Sequence, residues 1–350
     1  DKEVALAAVA RCGFVLKFAS ERLRADPEVV RAAVGTNAAI LEYGAKQVRE
    51  SKEFMLSVIQ KNTSALAYAG KKLREDKAFV LQVVQLRGEA LKCLEERFKD
   101  DQDVVLAAVR SSGAALEFAS PKLRDNRELV LVALSNNGSA LMAASARLRS
   151  ERAVVLAAVA KDGASLAYGG EELRRDKEFA LLAVGLNGLA LQYVAPELKV
   201  DKHVVLRAVK TNPHALEHAD SRLKRDREVV LTAVLQDGSA LAYALESVRN
   251  DDIFMISAIA KQPSVLRYAG DRQRNNAEVV LGAVKSEPRA LEWASTGLRN
   301  DRDFVLRALR VNVGALQYVP EHMRADRAIA MTAAKSRGSL IQFIAEELRG

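Results

Sequence analysis

A chain of 350 residues with 53 Lys and Arg against 45 Asp and Glu carries a formal net charge of +8, and its two kinds of charge are interleaved. Interleaving argues against a basic nucleic-acid-binding arm or an acidic tail. The longest apolar runs fall far short of the ~18 residues that a membrane span needs, so we expect no membrane insertion. The only cysteines, Cys12 and Cys93, provide no disulfide framework. We therefore expect an intracellular, reducing compartment, either the cytoplasm or an organelle interior.

The chain divides into fourteen blocks of 25 residues without an insertion or deletion. Leu occupies position 16 of thirteen blocks, a basic residue occupies position 24 of all fourteen, and all seven tyrosines stand at position 18. The blocks, called repeats 1 to 14 below, start at residues 1, 26, 51, 76, 101, 126, 151, 176, 201, 226, 251, 276, 301 and 326. Such a period is typical of repeat architectures, so we expect a single repeat domain over residues 1–350. Because the chain begins at Asp1 and not at Met, we expect it to be processed or a fragment, and part of a longer array or assembly.

Within a repeat, the elements follow in a fixed order. Position 1 is usually Asp, a residue that caps the start of a helix, and positions 4, 5, 6, 8 and 9 are apolar, which predicts a first helix buried on several sides. Gly stands at position 13 of eight repeats, where we expect it to end that helix. A second helix is predicted over the apolar positions 15, 16, 18 and 19, and a short turn then carries an apolar residue at position 23. One such unit cannot bury its own apolar faces. The predicted fold is therefore all-α: an α-solenoid, a superhelical stack of fourteen two-helix repeats.

The pattern Asp-Lys/Arg-Glu-Val-Val-Leu-x-Ala-Val-x-x-Asn-Gly-x-Ala-Leu-x-Tyr-Ala-x-x-x-Leu-Arg is clear in residues 176–199 and 226–249. It resembles the repeat known as domain of unknown function 4116, a family that pairs two such units. The resemblance covers the whole chain and implies an array of helical repeats. No catalytic residue is carried over from it, because none is established for the family.

One string has the form of a catalytic motif. His214, Glu217 and His218 match the H-x-x-E-H pattern, in which two histidines one helical turn apart bind zinc and the Glu acts as a base. However, Leu216 between them is the core residue of position 16, and His218 replaces the Tyr of position 18. We therefore interpret the string as ordinary variation within one repeat, and expect no catalytic, cofactor-binding or metal-binding residue.

Two repeated positions are candidates for binding. The aromatic residues of position 18 are able to stack on bases or sugars, but we interpret them as core side chains whose tyrosine hydroxyls are able to reach the surface. The basic residues of position 24 are able to follow phosphates. Because acids accompany them at positions 1 and 3, we expect them instead to pair with acids or helix-end carbonyl groups of adjacent repeats, as an ion ladder between repeats.

The sequence therefore predicts a non-enzymatic protein-interaction scaffold, or a structural component that forms filaments or arrays. Positions 7, 10, 11, 14, 17 and 22 vary freely and are expected to form its binding surface. The alternative is a helical repeat protein that binds single-stranded nucleic acid. Both ends keep the apolar interior pattern, for example Val4 and Phe18 in repeat 1 and Ile341 and Leu348 in repeat 14. Either a protein partner or self-association through these uncapped ends is expected.

Overall fold

The computed structural model describes residues 1–35, 37–336 and 338–343. The chain forms two compact units, Asp1–Arg174 and Arg175–Gly350. All regular structure within the described residues is helical, and each unit is an all-α solenoid, as predicted. None of the described helices has the length and apolar character to cross a bilayer. The grouping of all repeats into one domain stays a prediction.

Each repeat begins with its longest helix, called the long helix below. The Asp, Asn or Ser of position 1 caps it. The Asp101 carboxylate, for example, accepts hydrogen bonds from the amides of Asp103 at 3.0 Å and Val104 at 3.2 Å. The long helices of the first unit are Lys2–Arg11, Pro27–Val34, Lys52–Ile59, Lys77–Leu86, Gln102–Ser111, Arg127–Asn136 and Arg152–Lys161. Those of the second unit are Lys177–Leu186, Lys202–Thr211, Arg227–Val234, Asp252–Lys261, Ala277–Ser286, Arg302–Val311 and Arg327–Ser336.

The second segment is a six-residue 3-10 helix instead of an α-helix, and it begins earlier than the apolar pattern suggested. An Asn or Asp at position 12 often caps it; Asn212, for example, accepts from the amide of His214 at 2.9 Å. With three residues per turn, positions 13, 16 and 19 share one face, which is buried in most repeats. These helices are Gly13–Phe18, Ala38–Tyr43, Thr63–Tyr68, Gly88–Cys93, Gly113–Phe118, Gly138–Ala143 and Gly163–Tyr168, then Gly188–Tyr193, Pro213–His218, Gly238–Tyr243, Pro263–Tyr268, Pro288–Trp293, Val313–Tyr318 and Gly338–Phe343.

A short α-helix completes the repeat, where the sequence suggested only a turn. In several repeats a Ser at position 20 caps it, as Ser120 does by accepting from the amide of Leu123 at 3.3 Å. The short helices are Glu21–Arg24, Lys46–Glu50, Lys71–Glu75, Glu96–Lys99, Pro121–Arg124, Ala146–Arg149 and Glu171–Arg175, then Pro196–Lys199, Ser221–Lys224, Glu246–Arg249, Asp271–Arg274, Thr296–Arg299 and Glu321–Arg324.

Consecutive repeats stack in two layers within each unit. Long helices pack beside long helices, and 3-10 helices beside 3-10 helices. The core between the layers consists of the small and branched side chains of positions 4, 5, 8, 9, 15 and 16; Val104, Val105 and Leu116, for example, are fully buried.

A backbone hydrogen bond also joins many neighbouring repeats. The amide of position 20 donates to the carbonyl oxygen of position 24 in the repeat before it. Examples are Gly70 to Arg49 at 2.8 Å and Ser295 to Arg274 at 2.8 Å.

Glycine at position 13 has a different role from the predicted one. These glycines do not adopt a positive φ, the signature of a helix-ending glycine. Instead, the 3-10 helix approaches the end of the next long helix very closely at this point. A Cβ atom on Gly188 would lie less than 3.0 Å from the carbonyl oxygen of Ala208 and 2.9 Å from Cβ of Asn212. At Gly188 only a residue without a side chain fits, whereas six repeats have a larger residue at position 13.

Candidate functional site: two charged rows and a series of grooves

The ion ladder between repeats exists, but position 2 supplies its basic residues, not position 24. Lys52 pairs with Asp76 at 2.7 Å, Lys77 with Asp101 at 2.7 Å, and Arg302 with Asp326 at 2.9 Å. Each base reaches the capping acid of the following repeat. The sequence signal was available: a basic residue directly follows the position-1 acid in many repeats, and it lies one repeat away from the next acid.

The ladder neutralises this edge of each unit. The Lys2 ammonium lowers the pKa of the Asp26 carboxyl below its ordinary value, and the Arg302 guanidinium does the same for Asp326. In return, Asp101 and Asp103 raise the pKa of Lys77. Charges that are paired in this way leave little net field to attract a phosphate chain.

Position 24 does not supply this ladder, so the prediction that its bases pair with acids of the next repeat is wrong. The other predicted partner, a helix-end carbonyl of the adjacent repeat, is present at Arg324, whose Nη1 donates to Phe343 O at 3.2 Å. Where its bases find partners, several of these are carbonyl oxygens near the end of a 3-10 helix. Arg49 Nε donates to Gly44 O at 3.2 Å, and Lys199 Nζ to Gln192 O at 2.6 Å. The ion pair of Lys99 with Glu96 lies within a single repeat. These bases therefore compensate the negative end of a helix instead of linking repeats through acids.

In many repeats the inner nitrogen of the position-24 guanidinium is buried without a hydrogen-bond partner. These Nε atoms belong to Arg24, Arg74, Arg124, Arg149 and Arg174 in the first unit, and to Arg249, Arg274, Arg299 and Arg324 in the second. The side chains as a whole are half-buried. A guanidinium whose inner edge is desolvated is held in a fixed orientation, since its stem has lost rotamer freedom.

The aromatic residues of position 18 lie beside these arginines and are not core residues, contrary to the prediction. Tyr43, Tyr68, Tyr168 and Tyr193 are half-buried, and Tyr268 is 38% exposed. Position 18 is the last residue of the 3-10 helix and lies at the groove between two repeats, whereas positions 15 and 16 of the same helix are fully buried in most repeats.

Positions 18 and 24 meet in grooves between consecutive repeats, called the arginine grooves below. The groove between repeats 2 and 3 has a volume of about 570 Å³ and is lined by Arg49, Tyr68 and Arg74, among others. The equivalent groove between repeats 11 and 12 measures about 320 Å³ and is lined by Arg274, Trp293 and Arg299. The same repeat positions therefore form a cationic and aromatic groove in both units.

The opposite side of the repeat, formed by the long helices, is less polar. Leu81 and Leu106 of position 6 are half-buried there and line a groove of about 290 Å³ with Gln85 and Arg110. The freely varying positions 7 and 10 also belong to this face, as predicted for an outer surface.

The structure separates the members of the H-x-x-E-H string. His214 Nε2 lies 3.2 Å from Asp237 Oδ2 of the next repeat, and its ring meets the edge of Tyr243. His218 is half-buried, and burial lowers its pKa. Residues four apart on a 3-10 helix differ by about a third of a turn, so the two imidazoles do not share one face. The part of the chain that the structure describes has no group of three His, Cys, Asp or Glu side chains that would hold a metal ion.

Repeat 1 exposes apolar side chains. Val4 is 69% exposed and Phe18 is 78% exposed, whereas Val104, the equivalent of Val4 in repeat 5, is fully buried. The side chains of Ile341 and Leu348, and the base Arg349, lie outside the described residues.

Neither a curated protein nor a solved structure matches this chain. The family model described as a domain of unknown function, DUF4116, matches it repeatedly, and most matched segments span two consecutive repeats. The matches cover residues 1–49, 51–99, 79–124, 101–149, 152–199, 201–249, 226–274, 251–299, 276–324 and 301–349. Many of these segments begin at the first residue of a repeat as defined from the sequence, which supports both the period and the register. The chain belongs to the DUF4116 family of repeat proteins.

Proposed function

We propose that this protein is a non-enzymatic scaffold that holds an extended segment of a partner protein in its arginine grooves. The recurrence of equivalent grooves at repeat junctions in both units carries the proposal. One such groove is found in each unit, and because positions 18 and 24 recur in every repeat, an extended partner would meet the same kind of lining at successive junctions. The residues around the grooves differ between repeats, as Lys71 and Thr296 do at position 21, so each groove contacts its ligand differently.

Photo-cross-linking tests this function directly. A benzophenone amino acid in place of Ala67, an exposed groove residue, should yield a covalent adduct in cells that express the chain. The matched control is Gln60 of the same repeat, which is exposed on the long-helix face and should yield little adduct. We expect the Ala67 adduct to survive nuclease and to be lost on proteolysis. Absence of any adduct at Ala67 would refute the proposal.

Single-stranded nucleic acid is the second candidate, and the same grooves favour it. Guanidinium groups next to half-exposed aromatic rings are the combination that tracks phosphates and stacks on bases. A nuclease-sensitive adduct at Ala67 would support this alternative. Affinity for single-stranded RNA should then fall steeply as salt rises, because phosphate contacts release counterions.

We further propose that the apolar end of repeat 1 takes part in self-association. Exposed apolar patches usually mark contact sites, and in later repeats the equivalent surface packs against a neighbouring repeat. Light scattering across a concentration series should show a mass that increases with concentration, and Phe18→Glu should reduce the increase. A constant monomer mass for the unmodified chain would contradict this.

A further inference from the structure

Among the described residues of the first unit, the arginines of position 24 form no ion pair with a carboxylate, whereas Arg274 in the second unit pairs with Asp271. The bases of position 2 each face a carboxylate of the next repeat, such as Asp101 opposite Lys77. In contrast, Arg74, Arg124 and Arg149 are half-buried, with an inner nitrogen that has no partner. A partly desolvated cation interacts strongly with an anion, because the surrounding dielectric is lower than that of water.

The groove between repeats 2 and 3 has an excess of positive charge. Its lining cations are Lys46, Arg49, Lys71, Lys72 and Arg74, and its lining anions are Glu50 and Glu75. Five cations minus two anions leaves a net charge of +3. The lysines Lys46 and Lys71 lie 3.8 Å from Glu50 and Glu75, which is too far for a strong hydrogen bond. Among the described residues, neither Arg49 nor Arg74 pairs with a carboxylate: Arg49 Nε donates to Gly44 O, and Arg74 Nε is buried without a partner.

The acids in this groove argue against a continuous polyanion. Glu50 and Glu75 occupy position 25, next to the arginine of each repeat, and Asp100 and Asp125 occupy it in the two repeats that follow. A nucleic-acid backbone would bring phosphates close to these carboxylates. A peptide with separated acids avoids this repulsion, since its neutral or basic residues face position 25.

The distance between successive repeats predicts the spacing of the acids along such a peptide. Packed helices lie about 8–10 Å apart, so successive arginine grooves recur at about that distance. An extended peptide rises ~3.3 Å per residue, and three residues therefore cover about the same distance. The planar guanidinium binds a carboxylate through two parallel hydrogen bonds, and this geometry favours a peptide whose acids have the same spacing as the arginines.

We propose that the arginine grooves of the first unit bind an extended protein segment that carries Asp or Glu at every third residue. This inference rests on the scaffold function proposed above and specifies its ligand. The aromatic side chain of position 18 packs against the peptide between two acids, and the arginine of position 24 binds each carboxylate.

Fluorescence anisotropy with the full chain tests the spacing. The first probe is a labelled peptide with Glu at every third residue, and the second has the same composition with its Glu residues clustered. Single-stranded polyuridine is the third. We expect the spaced peptide to bind about tenfold more tightly than the clustered one. Equal affinity for the two peptides would overturn the proposed spacing, and tighter binding of polyuridine would overturn the peptide ligand.

Substitutions at Arg74 test whether the peptide binds in the groove between repeats 2 and 3. Arg74→Gln should weaken the spaced peptide by about tenfold, the effect of losing one charge-assisted contact worth ~1.4 kcal/mol. Arg74→Lys should recover part of the affinity, because the charge is kept while the two-pronged contact is lost. The charge-matched control is Arg110→Ala on the long-helix face, which should leave affinity unchanged. Unaltered binding by folded Arg74→Gln, with circular dichroism like that of the parent chain, would refute the site. If neither peptide binds but Ala67 still cross-links to protein, this ligand is wrong and the scaffold function stands.

Discussion

Replacing Gly188 by Ala should destabilise the second unit, although the same change at Gly238 should not. Both glycines are the first residues of 3-10 helices, and neither has a positive φ. A methyl group on Gly188 would collide with the carbonyl oxygen of Ala208 and with Asn212, whereas one on Gly238 would find its nearest atom, Cα of Val265, 3.4 Å away. The two positions therefore differ in space and not in backbone conformation.

The magnitudes follow from two opposing effects. Ala in place of Gly restricts the unfolded chain and stabilises a protein by about 0.4–1 kcal/mol where the backbone accepts it. Forcing an extra carbon into a filled junction costs about 1–3 kcal/mol. Gly238→Ala should therefore gain up to ~1 kcal/mol, and Gly188→Ala should lose about 1–2 kcal/mol.

Hydrogen exchange measured by mass spectrometry is the appropriate assay, because a repeat array need not unfold in one step. The amides of residues 188–212 should exchange about tenfold faster in Gly188→Ala, since ~1.4 kcal/mol corresponds to a factor of ten. The corresponding amides around Gly238 should exchange no faster in Gly238→Ala. If both variants change exchange equally and in the same direction, close packing is not the reason for Gly at this position.

Three further predictions concern the core and the titrating groups. Leu191→Ala should lower the free energy of unfolding by ~2–5 kcal/mol in urea titration, because Leu191 is fully buried, whereas Gln192→Ala at an exposed position should lower it by under ~0.5 kcal/mol. Equal losses would contradict the assignment of Leu191 to the core and Gln192 to the surface. Burial lowers the pKa of His218 from 6.5, so the folded protein should lose stability as pH falls below that value. The urea midpoint should therefore fall with pH in the parent chain, and His218→Tyr should abolish this part of the decrease. The Lys2 ion pair lowers the pKa of Asp26 below 3.8, so the stabilisation by this pair is present above pH 3.8 and is lost as pH falls through the lowered pKa. Asp26→Asn should therefore make the urea midpoint depend less on pH in acid. An unchanged pH profile of the midpoint would contradict this role.

The sequence predicted the architecture well because the repeat multiplies each weak local signal. One buried Leu indicates little, but Leu at position 16 of thirteen repeats identifies a core face. The capping role of position 1 followed from chemistry alone, since Asp accepts from free amides at a helix start.

The second segment was harder to predict. Buried positions 15, 16 and 19 suit an α-helix and a 3-10 helix almost equally over six residues. The choice depends on packing against the next long helix, which is a non-local contact. Tyr68 and its equivalents lie at a groove that two repeats form, so their exposure also depends on a neighbour that the pattern of one repeat does not contain.

The charged rows show a similar limit. Uniformity drew attention to position 24, yet the ladder uses position 2, where the basic pattern is interrupted in four repeats by Pro27, Gln102, Asp252 and Ala277. Whether the bases of position 2 or those of position 24 face an acid depends on how one repeat is rotated relative to the next. The pattern of a single repeat does not determine this rotation. The grooves were not predicted for the same reason, since each is formed by two repeats.

The backbone bond between repeats has a consequence for how such proteins change in length during evolution. Its donor and acceptor positions occur once in each block of 25 residues, at positions 20 and 24, and both groups are main-chain atoms that every residue except proline supplies; Pro320 of repeat 13 is the one position-20 residue without an amide donor. Duplication or loss of a whole block therefore keeps the donor and acceptor positions in register at the remaining junctions. A deletion of any other length would shift the helix-capping residues of positions 1, 12 and 20 and the bonded positions 20 and 24 out of register with the next repeat. Relatives should consequently differ in length by whole blocks, and an ancestral gene that held one block pair would be sufficient to generate the array by tandem copying.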